Sequence, residues 1–140
     1  MLYLDTSLLV AALTNEAKTA TVQAWLGSHQ SEGLAISDWA VTEFSAALSV
    51  KQRTRQIEAS GRADALAAFA QLCVDSVTVL PVSGLHFRVA ARYADQYASG
   101  LRAGDALHLA VCADRGGTLN TLDRRLSEAG SLLGIATVLL

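Results

Sequence analysis

The stretch Leu2–Leu13, LYLDTSLLVAAL, reads as a short strand running directly into a helix, with a single carboxylate, Asp5, at the junction. Leu2–Leu4 is an apolar run of strand length, and Ser7–Leu13 is the helix that follows it. The same alternation repeats along the chain. Strand-like runs stand at Leu34–Ser37, Val77–Pro81, Thr118–Thr121 and Ile135–Leu139. Helical patterns fill the intervals at Lys18–Ser28, Asp38–Gln52, Arg62–Val74, Ser83–Ala98, Ala103–Asp114 and Arg124–Ala129. Strands alternating with helices predict an α/β fold with three α/β/α layers, a parallel sheet of four or five strands wrapped by about seven helices. The 140 residues suit one domain spanning 1–140, since no repeat, low-complexity tract or linker divides them. Gly100 to Gly104 and Gly116–Gly117 read as loops inside that domain.

Composition narrows the function classes. With 51% hydrophobic and 17% charged residues the chain is too apolar to be disordered. The apolar run Leu8–Leu13 is far below the roughly 20 residues of a membrane span, and no basic segment precedes it as in a secretory signal. Cys73 and Cys112 stand far apart within helical patterns, so both read as reduced core residues, and a cytoplasmic location is expected. The net charge of −2 does not exclude a nucleic-acid partner. If four of the 13 acidic residues were neutralised by metal ions, the rest of the surface would carry a slight excess of its 11 basic groups.

In a parallel α/β sheet, ligands bind beyond the carboxyl ends of the strands. Asp5 follows the first strand, Asp123 lies two residues beyond the fourth, and Asp105 opens the helix leading to the fourth. Each stands at a helix start, where capping of free N–H groups is by itself a sufficient role. Glu43 is different. At about 100° per residue, Thr42, Ser45, Ser49 and Gln52 share a polar arc, and Glu43 falls among Trp39, Ala47 and Val50 on the apolar side. Either the side chain reaches out to water from a flank position, or it is aimed into a polar pocket. A cluster of carboxylates repels itself unless cations intervene, at roughly 4 kcal/mol for a pair about 4 Å apart. A set made only of carboxylate oxygens suits Mg²⁺ or Mn²⁺, and water held by such an ion can hydrolyse a phosphodiester.

These segments, LYLDTSLLVAAL at the start, TEF around Glu43 and GDALHLAVCADRGGTLNTLDRRL at Gly104–Leu126, resemble the PIN-domain family, and within it the small VapC-type toxins of bacterial toxin–antitoxin pairs. The resemblance implies a Mg²⁺- or Mn²⁺-dependent endoribonuclease whose acidic positions fall on Asp5, Glu43, Asp105 and Asp123. It further implies that Thr6 and Thr121 support the cluster, that RNA is the substrate, and that the chain forms a homodimer held inactive by a cognate antitoxin. TLDRRL departs from the family pattern, in which an aromatic residue often follows the last acidic position.

Basic residues are the natural holders of an RNA backbone. Lys51, Arg53, Arg55 and Arg62 form a local patch after the Glu43 helix, and solvated helix ends explain such a patch equally well. Arg102 and Arg124 adjoin Asp105 and Asp123, where each would meet phosphate or balance the carboxylates. His29, His86 and His108 share no metal-site spacing; His108, one turn after Asp105, reads as a core-rim histidine at the edge of the cluster. Trp25, Trp39 and Phe44 read as core residues or as a partner face. A dehalogenase-type phosphohydrolase would have a second Asp where Ser7 stands, and a receiver domain would have a late lysine, whereas the only lysines are Lys18 and Lys51. Two further readings remain at this level: a non-toxin RNA-processing nuclease, and a catalytically silent RNA- or protein-binding module.

Overall fold

The computed structural model describes residues 1–140. The strands are β1 (Leu2–Leu4), β2 (Leu34–Ser37), β3 (Val77–Leu80), β4 (Thr118–Thr121) and β5 (Thr137–Leu139). The helices are α1 (Thr6–Leu13), α2 (Thr19–His29), α3 (Asp38–Arg53), α4 (Ala59–Asp75), α5 (Gly84–Ala94), α6 (Ala103–Asp114) and α7 (Arg124–Leu132). All strand pairings are parallel, in the order β3-β2-β1-β4-β5. The chain therefore leaves β1 toward one edge and later returns to build the other. The switch point of such a sheet, where a crevice opens, lies between β1 and β4.

Side chains alternate across a strand, and here the alternation separates two cores. Leu4 and Ile36 face a core shared with α1, α2, α3 and α4, containing Leu8, Val22, Phe44 and Phe69. Tyr3, Ala35 and Leu119 face the other, with Leu109, Val111 and Leu126 from α6 and α7. Phe44 stacks on Phe69 at 4.4 Å between ring centres, so it belongs to the core. Trp25 stacks on His29, and Trp39 lines an apolar cavity of about 210 Å³ between α5 and α6. No helix is long and apolar enough to cross a membrane.

Several boundaries differ from the sequence expectation; the helix expected from Arg62, for example, already begins at Ala59. The helix expected to reach Ala98 ends at Ala94, and Tyr97–Ser99 forms a separate 3₁₀ turn closed by Gly100 at φ 63°. Tyr97 is 93% exposed, so no packing holds a further α-turn there. The helix expected to stop at Ala129 runs to Leu132, and the last strand starts at Thr137 rather than Ile135. The Ile135 N–H is already engaged by the Gly130 carbonyl at the end of α7.

Candidate active site

Asp5 caps α1: its Oδ1 accepts from the Ser7 and Leu8 N–H groups at 3.0 and 3.3 Å and from the Ser7 hydroxyl. Its Oδ2 accepts from Thr121 Oγ1 at 2.8 Å. The capping role is thus real, and it orients the carboxylate at the β1–β4 switch point. Burial pushes the Asp5 carboxyl above its ordinary range, against the opposing pull of His108 and of the Ser7, Thr121 and Leu8 hydrogen bonds. Ser7 Oγ also accepts the Leu122 N–H at 2.9 Å, and Thr121 Oγ1 accepts the Asp123 N–H at 2.9 Å, so the ends of β1 and β4 are laced together.

Asp123 caps α7, with Oδ1 accepting the Arg125 and Leu126 N–H groups at 2.8 and 3.3 Å. Its Oδ2 accepts from Arg102 Nη2 at 3.2 Å. The same guanidinium donates through Nε to Asp105 Oδ2 at 2.9 Å. One exposed arginine thereby spans two carboxylates that are 18 residues apart in sequence.

Glu43 projects from α3 into the same space. Its Oε2 accepts from Thr6 Oγ1 at 2.7 Å and lies 2.6 Å from His108 Nε2. Burial works to raise the Glu43 carboxyl, but the hydrogen bond and charge of His108, with Thr6 and the nearby Trp39 indole, hold it below its ordinary value. Gly104, at the start of α6, makes this approach possible: a Cβ there would stand 2.5 Å from Glu43 Oε1 and 3.2 Å from Trp39 Nε1.

Asp5, Glu43, Asp105 and Asp123 line a single cavity of about 330 Å³, together with Thr6, Ser7, Arg102 and His108. The apolar floor comes from Ala46, Ala47 and Val50 of α3. Of the expected basic contacts, only Arg102 reaches this cavity. Arg53 ends α3, Arg55 lies in the turn beyond, and Arg124 is exposed at the start of α7; none lines the cavity and none forms an ion pair. Sequence reasoning gave no site role to Ser7 and too small a one to His108. His108 is 2% exposed and bonds Glu43 directly, with Nδ1 against Tyr3 Oη at 2.8 Å. Its position three residues after Asp105, as the only polar group in Ala106–Ala113, was the available signal.

The PIN domain matches this chain over residues 2–132. The chain belongs to the PIN-domain family. Solved structures of similar fold include FitAcB from Neisseria gonorrhoeae, at 19% identity and a TM-score of 0.70, covering 98% of this chain and 96% of that one. VapC20 from Mycobacterium tuberculosis, described as a toxin cleaving the sarcin–ricin loop, aligns at 21% identity and a TM-score of 0.74, covering 93% and 95%. VapBC2 from Rickettsia felis, bound to a DNA fragment from its promoter, aligns at 15% identity and a TM-score of 0.73, covering 100% and 99%. No curated protein matches the chain by sequence.

The acidic side chains lining the cavity offer carboxylate oxygens as candidate donors. No three acidic, imidazole or thiol groups stand close enough to cage an ion by themselves. Mg²⁺ does not require a protein cage, because it keeps several waters and takes one or two carboxylates directly. Four carboxylates facing one open cavity fit that chemistry.

Proposed function

We propose that this PIN domain is a Mg²⁺- or Mn²⁺-dependent endoribonuclease, the toxin of a toxin–antitoxin pair. The observation that carries the reading is the convergence of Asp5, Glu43, Asp105 and Asp123, from the β1 end, α3, α6 and the β4 end, on one cavity. Asp5, Glu43, Asp105 and Asp123 would surround the ion, one or two of them binding it directly and the others through its retained waters. A bound divalent ion would offset the repulsion among these groups and supply an activated water for phosphodiester hydrolysis. Asp5 is fixed for its role by the α1 cap and Thr121, and Glu43 by Thr6 and His108. Arg102, at the cavity mouth, is the basic group placed to meet RNA phosphate.

The toxin assignment draws on the fold neighbours: VapC20 is described as a toxin, and VapBC-5 from Mycobacterium tuberculosis as a member of a family of toxin–antitoxin systems. A small antitoxin and a second copy of this chain are the expected partners. The test is incubation of the purified protein with a mixed RNA pool, with Mg²⁺ or Mn²⁺ and with EDTA. Cleavage that needs the metal and is lost in Asp5→Asn supports the nuclease; cleavage by Asp5→Asn at the parental rate overturns the site. Growth arrest on induced production, relieved by co-expression of the antitoxin, supports the toxin role. Metal-dependent cleavage without growth arrest would point to RNA processing instead.

A further inference from the structure

We propose that Arg102 is an internal counter-ion which a divalent metal must displace, and that the displaced guanidinium then grips RNA phosphate. This rests on the metal-nuclease reading above and deepens it. Arg102 donates to Asp105 Oδ2 and Asp123 Oδ2, and its second nitrogen also reaches Asp105 Oδ1 at 3.5 Å. Those oxygens are donors a hard cation would take; each has a second lone pair, but two positive centres held on the same carboxylates repel each other, so the ion and the guanidinium compete for them. Charge from Glu43 adds to the hold of Asp105 and Asp123 on the guanidinium.

The hold is built for release. The Arg102 side chain is 66% exposed, so little packing keeps it in place. Lys51 offers a contrast within the same molecule: its ion pair with Glu16 is 2.6 Å long and its side chain only 13% exposed. Arg102 also occupies the position before α6 without using its side chain to cap the helix, so moving it leaves α6 intact. A planar guanidinium matches two phosphate oxygens as well as it matches carboxylates. Ion entry therefore converts an arginine engaged with the protein into one available to substrate at the mouth of the same cavity.

The test compares Mn²⁺ binding to the wild type, Arg102→Gln and Arg124→Gln by titration calorimetry at low ionic strength. Arg124 carries the same charge beside Asp123 but pairs with no carboxylate, so it reports the general effect of losing a cation. Arg102→Gln should bind Mn²⁺ roughly three- to tenfold more tightly, and Arg124→Gln within about twofold of the wild type. In saturating Mn²⁺, Arg102→Gln should raise the KM for RNA several-fold with a smaller change in kcat. Opposite effects on metal and substrate are not what a merely structural residue gives. Equal or weaker Mn²⁺ binding by Arg102→Gln, or an equal gain in Arg124→Gln, overturns the displacement, and an unchanged KM overturns the transfer to phosphate. Failure of the wild type and Arg102→Gln alike to bind Mn²⁺ overturns the metal reading itself.

Discussion

His108 Nε2 lies 2.6 Å from Glu43 Oε2, and its Nδ1 lies 2.8 Å from the Tyr3 hydroxyl, which is in turn hydrogen-bonded with Ser37 Oγ at 2.7 Å. Ser37 also caps α3, the helix that carries Glu43. A buried polar chain thus joins β1, β2, α3 and α6 beneath the acidic cavity. With Glu43 held below its ordinary carboxylate range, Nε2–H is the donor and the carboxylate the acceptor.

Replacing His108 should therefore act on Glu43 as well as on stability. His108→Leu leaves the Tyr3 hydroxyl and Glu43 each short of a partner, and should cost about 1–3 kcal/mol in urea unfolding. His108→Gln can present an amide donor near the old Nε2 position. We expect it to recover more RNA cleavage than His108→Leu at comparable loss of stability. Equal activity in both variants would remove His108 from the positioning of Glu43.

Asp5 and Glu43 should leave opposite marks on stability as pH changes. Burial raises the folded Asp5 pKa above its ordinary 3.8. Its favourable contribution is then complete below that value and is lost as pH rises through the folded pKa. Metal-free Asp5→Asn should melt higher than the wild type at neutral pH, and the gap should close in acid. Glu43 is depressed below its ordinary 4.5, so its contribution is present above that value and fades as pH falls through the folded pKa. Melting curves of Asp5→Asn and Glu43→Gln from acid to neutral pH check both signs.

The carboxylates were legible in sequence for different reasons. Asp5 and Asp123 follow strands in an alternating pattern, and the topology alone places such residues at the switch point. Glu43 was exposed by its angular position among Trp39, Ala47 and Val50, and it does turn into the cavity. The resemblance to PIN domains joined these residues into one proposed site. What helix periodicity could not give was the contact between elements. Whether His108 meets Glu43, or Arg102 meets Asp123, depends on how α3, α6 and α7 pack, and the pattern within each helix is silent on that. The end of α5 differs from the sequence expectation because Tyr97 is exposed in the fold, so no packing carries the helix past Ala94.

Thr121→Val tests the lacing of β1 to β4. Thr121 is fully buried, and its hydroxyl donates to Asp5 and accepts from the Asp123 N–H. Valine keeps the volume but removes both bonds, leaving a buried carboxylate oxygen without its donor. We expect a loss of roughly 1–3 kcal/mol in denaturant unfolding and a further rise of the Asp5 pKa, read as a shift of the acid limb of the cleavage profile to higher pH. A variant with wild-type stability and profile would show that Thr121 only fills space.

Gly104→Ala sets helix propensity against the site. Within a helix, alanine in place of glycine normally stabilises by about 1 kcal/mol. Here the new methyl carbon would stand 2.5 Å from Glu43 Oε1, closer than packed atoms tolerate, and 3.2 Å from the Trp39 indole nitrogen. Glu43 is the end of a flexible side chain and can swing away, at the expense of its bonds to Thr6 and His108. The melting temperature should therefore change little, because the propensity gain and the lost contacts oppose each other. Cleavage should fall by roughly a hundredfold, as expected when a group at a reacting centre is displaced by about 1 Å. A Gly104→Ala protein that cleaves RNA like the wild type would show that the position of Glu43 is immaterial to the chemistry.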